Sequence, residues 1–134
     1  MELHLRIIGV MLIVLAIIHA SFPRQFSWKG ELSTLSLINR QMMYVHTFFI
    51  AFTVFLMGVF CIYSASEIIS TPIGRQIAFG FFIFWGLRFL FQFFVYSSKL
   101  WKGKRFETTM HIVFSLTWIY LTAVFFMIAF QIHL

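Results

Sequence analysis

Four apolar stretches separated by short polar connections set the pattern of this chain. The first runs from about Leu5 to Phe22 with Arg6 as its one formal charge, and Pro23 follows it. The second, about Gln41 to Ser64, carries no formal charge. The third, from Pro72 to about Ser98, carries only Arg75 and Arg88, and the fourth, from Thr108 to about Gln131, carries none. Each is close to the roughly 20 residues that a helix needs to cross a bilayer. The pattern predicts an all-α integral membrane protein, an antiparallel bundle of four transmembrane helices over residues 5–22, 41–64, 72–98 and 108–131. Residues 1–134 then form a single domain, with no length left for a soluble one.

Local signals sharpen these limits. Thr71 before Pro72 is a helix start, a capping hydroxyl followed by proline at the first helical position. The short stretch from Ser64 to Thr71 makes helices 2 and 3 antiparallel neighbours. Gly74, Gly80 and Gly86 are candidates for close helix approach. Leu32, Leu35 and Ile38 have helical spacing, and read either as a surface segment or as a projecting start of helix 2. A cleavable leader is the competing reading of the N-terminus. It would put Ile18 where a small residue is wanted, so a retained helix is preferred.

Composition agrees with the pattern. Of 134 residues, 61% are hydrophobic and 10% charged, against about 25% charged in a soluble domain. Mean hydropathy is +0.94. The 20 phenylalanines imply bulky lipid-facing walls rather than a wide aqueous pore. Cys61 stands alone, which excludes an internal disulfide and a CxxC motif.

The net charge of +6 is organised by topology, which makes nucleic acid an unsuitable partner and the lipid bilayer the evident one. With four spans, the two long connections share one side. They hold Arg24, Lys29, Arg40, Lys99, Lys102, Lys104 and Arg105, against Arg6 and Arg75 on the other side. Positive charge concentrates on the cytoplasmic side. The expectation is a bacterial inner membrane with both termini outside. Trp28, Trp101, Tyr44 and Tyr96 fall where interfacial aromatics belong.

The candidate chemistry lies in the histidines. His4 and His133 stand at the chain ends and read as interfacial residues. His19, His46 and His111 lie five, six and six residues from Arg24, Arg40 and Arg105, about 7 to 9 Å deep at 1.5 Å per residue. Three helices thus put an imidazole in one layer. Such a set suits a metal ion (zinc, iron or copper), or a b-type haem held by two rings. Gln92, Tyr44 and Ser115 are candidate partners that orient a ring. The bland alternative is hydrogen bonding between helices.

Arg88, Gln92 and Tyr96 are spaced four apart and form a polar stripe on helix 3. Arg88 counts about 16 Å from Lys99, near the bilayer centre. A charge there calls for a partner, yet the chain has no aspartate, and its four glutamates lie near the ends of spans. Two readings of Arg88 stand side by side: it bonds backbone carbonyls, polar side chains or water, or it holds an anion, such as a haem propionate, a fatty-acid head group or a carboxylate of another subunit. There is no phosphate loop, no Ser-His-Asp set and no paired intramembrane carboxylate, and whether the chain is an enzyme stays open. The leading reading is a metal- or haem-binding membrane protein with a redox or metal-dependent role. The alternatives are a non-catalytic small subunit of a larger membrane complex, or a small transporter or channel that would work as a homo-oligomer.

Overall fold

The computed structural model describes residues 1–132; His133 lies outside the described residues. All regular structure among the described residues is helical. Four of the helices are long and apolar enough to cross a membrane, so the integral membrane reading stands. The chain divides into two units, one of Leu3–Ala65 and one of Met1–Glu2 with the residues from Ser66 onward.

In the first unit, α1 (Glu2–His19) is followed by the single turns α2 (Phe22–Gln25) and α3 (Trp28–Glu31), and then by α4 (Leu37–Tyr63). α1 stops at His19, short of Pro23. Its end tightens through i→i−3 bonds, from the Ala20 N–H to the Ile17 carbonyl (3.0 Å) and from the Ser21 N–H to the Ile18 carbonyl (2.9 Å). The Ser21 hydroxyl also donates to the Ile18 carbonyl. Pro23 then sits in the first turn of α2, where its fixed φ costs nothing. Leu37 and Ile38 belong to α4, whereas Leu32 and Leu35 lie in the turn before it. At 27 residues, α4 is about 40 Å long and exceeds the roughly 30 Å hydrocarbon core.

α1 and α4 meet at a pair of glycines. A Cβ built on Gly58 would lie 2.7 Å from the Gly9 carbonyl oxygen and 3.0 Å from the Ile13 side chain. A Cβ on Gly9 would strike the Ile62 side chain and the Gly58 carbonyl. Gly9 meets Ile62 while Ile13 meets Gly58, so the two helices run antiparallel. In lipid, helices are held by close packing rather than by a hydrophobic force between them. Bare backbone at the crossing is what permits that packing.

The second unit holds α5 (Ala65–Ser70, its first residue belonging to the other unit), α6 (Pro72–Phe94) and α7 (Arg105–Ala129). The expected start of α6 is present in full. The Thr71 hydroxyl accepts from the Gly74 N–H at 2.9 Å and donates to the Glu67 carbonyl at 2.8 Å. Gly74 packs directly on the α5 backbone, where a Cβ would overlap Glu67 and Ile68. Gly86 makes ordinary contact with Thr122, and Gly80 meets nothing. Only Gly74 of the three thus sits at a close approach.

α6 and α7 are antiparallel, joined mainly by rings. Phe79 meets Phe130, Phe82 meets Phe126, Phe81 meets Phe125 and Trp85 stacks on Trp118. Such pairs contribute about 0.5–1.5 kcal/mol each beyond the area they bury. α6 ends at Phe94 rather than near Ser98. A 3₁₀ turn (Ser98–Leu100) and Gly103, at φ +82°, carry the chain into α7.

Candidate functional site

Arg88, Gln92, Tyr96 and His111 of the second unit collect at one end of the α6–α7 pair. Gln92 is buried, and its side chain joins the two helices. The Arg88 Nη1 donates to Gln92 Oε1 at 3.4 Å, and Gln92 Nε2 lies 2.8 Å from His111 Nδ1. A guanidinium has no acceptor atom, so it can face only the oxygen of the amide. The amide nitrogen is left toward His111 and donates to Nδ1. The neutral ring then carries its proton on Nε2. Of the predicted stripe, Arg88 and Gln92 share a face of α6; Tyr96 lies past the helix end, where its ring meets Arg88, and the bonded chain continues from Gln92 into His111.

Aromatic rings enclose this chain of bonds. The Arg88 guanidinium lies 5.0 Å from the Trp118 ring and 5.5 Å from the Tyr96 ring, within cation–π reach. The His111 ring stacks on Trp101 at 3.9 Å with 9° between the planes. Trp101 is placed by Thr108, whose hydroxyl donates to the Trp101 carbonyl at 2.7 Å. Ser115 serves the backbone, donating to the His111 carbonyl and not to the ring. Because α6 ends at Phe94, Arg88 is six residues, or about 9 Å, from the helix end. That is shallower than the count from Lys99 gives.

The site holds more donors than acceptors. Arg88 has no carboxylate partner among the described residues, and its one hydrogen bond is the long one to Gln92. Trp85 and Trp118 are 2% and 3% exposed, and neither indole N–H has a hydrogen-bond partner among the described residues. Buried donors in native proteins are nearly always paired. Both indole N–H groups depart from that rule, and the half-buried guanidinium over the Trp118 face still lacks a strong acceptor among the described residues.

The remaining expected residues lie in the first unit. His19 is the last residue of α1, and its Nδ1 lies 2.7 Å from the Leu15 carbonyl oxygen. A carbonyl only accepts, so Nδ1 carries the proton and Nε2 keeps a free lone pair. This is the opposite tautomer to that of His111. The ring packs on Phe22 at 4.5 Å. Tyr44 meets the edge of Trp28 at 5.3 Å. His46 is exposed on α4 and makes no hydrogen bond or ring contact with the described residues. Among the described residues, no group of three His, Cys, Asp or Glu side chains is arranged to hold a metal ion.

Trp85, Trp101 and Trp118 are the residues that sequence reasoning passed over. Trp101 read only as an interfacial anchor. A signal for the other two exists. Trp85 precedes Gln92 by seven residues, and Trp118 follows His111 by seven, so each shares a helix face with a polar residue already singled out. Compared with protein-family models, with curated proteins and with solved structures, the chain matches none.

Proposed function

We propose that this chain is a non-catalytic component of a membrane assembly, whose α6–α7 pair receives a carboxylate at Arg88. The observation that carries this reading is a half-buried guanidinium with no carboxylate partner among the described residues, its one hydrogen bond the long one to Gln92. A carboxylate accepts from several donors at once, and pairs well with the planar fork of arginine. The aromatic walls lower the local dielectric and strengthen that pairing. The carboxylate comes from an intramembrane acidic residue of another subunit or from the head of a fatty acid. The rest of the reading is a four-helix transmembrane bundle, with the basic connections on the cytoplasmic side and both termini outside.

The test is purification of the untagged chain in mild detergent, with the co-purifying proteins and extracted lipids identified by mass spectrometry. A stoichiometric partner lost from Arg88→Leu supports the subunit form, and a stoichiometric fatty acid lost from the same variant supports the amphiphile form. Gln92→Glu, which places a carboxylate one turn from Arg88, should displace either one. Recovery of the chain alone, with neither protein nor carboxylate bound, refutes the reading.

A second reading retains a metal or haem, and His19 favours it. A ring whose Nδ1–H is anchored on a carbonyl and whose Nε2 is free has the form of an oriented ligand. His111 is less suited, because Gln92 occupies the lone pair of Nδ1 and the proton sits on Nε2. Elemental analysis and a visible spectrum of protein never exposed to chelator decide it. A stoichiometric metal lost from His19→Ala supports it, and its absence from folded protein refutes it.

A further inference from the structure

The first unit contains a cleft of about 400 Å³ that plays no part in the Arg88 site. Small residues make the room: Ala16 of α1 and Ala20, just past its end, line it together with Ala51 of α4. Its walls are largely aromatic, with Trp28, Phe48 and Phe52 among them. Phe48 and Phe52 lie nearly parallel, 5° apart. The polar side-chain groups on the wall are those of His19, Tyr44, Thr47 and the Trp28 indole, and no lysine, arginine or carboxylate lines the cleft.

This chemistry selects an occupant. A cleft without charged walls gives no support to a phosphate or a carboxylate, which would lose hydration and gain no counter-ion. The size is that of a site for a small organic molecule. Flat aromatic walls favour a flat ring. The one polar group whose role is set by its partner is His19: its Nδ1–H is bound to the Leu15 carbonyl, so Nε2 can only accept. The complementary head group is a neutral hydroxyl that donates.

We propose that this cleft binds a membrane-soluble hydroquinone, its ring against the aromatic wall, one hydroxyl donating to His19 Nε2 and its apolar tail leading into the lipid. Tyr44 and Thr47 supply further hydroxyls to the second ring oxygen. The oxidised quinone has no hydroxyl to give. It keeps the stacking and loses the bond to His19, so the site discriminates between the two forms by about tenfold, the worth of one hydrogen bond.

The experiment uses the full chain in lipid nanodiscs. The probes are a hydroquinone with a ten-carbon tail and its oxidised quinone, with empty nanodiscs subtracted for partition into lipid. Expected are saturable binding of the hydroquinone at one per chain and binding of the quinone about tenfold weaker. In His19→Phe, which keeps a ring and removes the acceptor, the hydroquinone should fall to the level of the quinone. Nitrogen-15 NMR of histidine-labelled protein gives an independent reading that needs no variant. The His19 Nε2 resonance should shift with the hydroquinone and stay in place with the quinone. Uptake equal to that of empty nanodiscs overturns the proposal, as does an unchanged preference in His19→Phe. A stoichiometric metal bound at His19 also overturns it, because the lone pair would then be taken.

Discussion

Replacing Gly58 by alanine tests the packing of α1 on α4 directly. The added methyl would sit 2.7 Å from the Gly9 carbonyl oxygen, 3.0 Å from Ile13 Cγ1 and 3.1 Å from the Ile13 backbone nitrogen. Ordinary contact begins at 3.4 Å, so the helices must part locally by about 0.7 Å. Two of the obstructing atoms are backbone and cannot rotate aside. Overpacking of this kind costs about 1–3 kcal/mol. The helix propensity of alanine returns up to about 1 kcal/mol. Gly80 supplies the control, since a Cβ there meets nothing within 4 Å. Gly80→Ala should therefore be neutral or stabilising by up to about 1 kcal/mol. Relative to this control, Gly58→Ala should be less stable by about 1–3 kcal/mol. At about 3–5 °C per kcal/mol for a chain of this length, the midpoints should differ by about 3–15 °C. Far-UV circular dichroism during thermal and SDS-driven unfolding reads the difference. If Gly58→Ala and Gly80→Ala move together, the glycine crossing is not what holds α1 to α4.

Two further outcomes follow from buried groups. Gln92→Leu should destabilise the α6–α7 pair by about 1–3 kcal/mol, because the Arg88 Nη1 and the His111 Nδ1 lose their shared partner; SDS unfolding measures it, and an unchanged midpoint would show that the bonds are not formed. Cys61 is free and 0% exposed, so a maleimide reagent should label it slowly in detergent and at once after denaturation, as followed by mass spectrometry. Equal labelling rates would place the thiol at a surface.

The helices were legible because their cause is local. A bilayer demands long apolar runs with every backbone group bonded within the segment, and that demand is written into consecutive residues. The start of α6 at Thr71 and Pro72 was legible for the same reason: a cap needs only its own four neighbours. The pairing of Arg88 with Gln92 could be read from 3.6-residue periodicity alone, whereas Tyr96 lies beyond the helix that the periodicity assumed.

What joins one helix to another was not legible. Of the glycines expected to matter, Gly74 sits at a close approach and Gly80 and Gly86 do not, while α1 and α4 cross at Gly9 and Gly58. Each stands alone in its helix, with no second small residue at a four-residue spacing to announce it. Depth along a helix predicted a layer of His19, His46 and His111, but depth says nothing about rotation around the axis. Only the tertiary structure turned His111 onto Gln92 and Trp101, and left His46 on an exposed face. The protonation patterns belong to that second kind of information too. His19 and His111 are the same residue type, yet one carries its proton on Nδ1 and the other on Nε2. A backbone carbonyl faces the first and an amide nitrogen the second. The hydropathy of consecutive residues settles where a segment must lie. What a side chain does there depends on the single atom that packing sets opposite it.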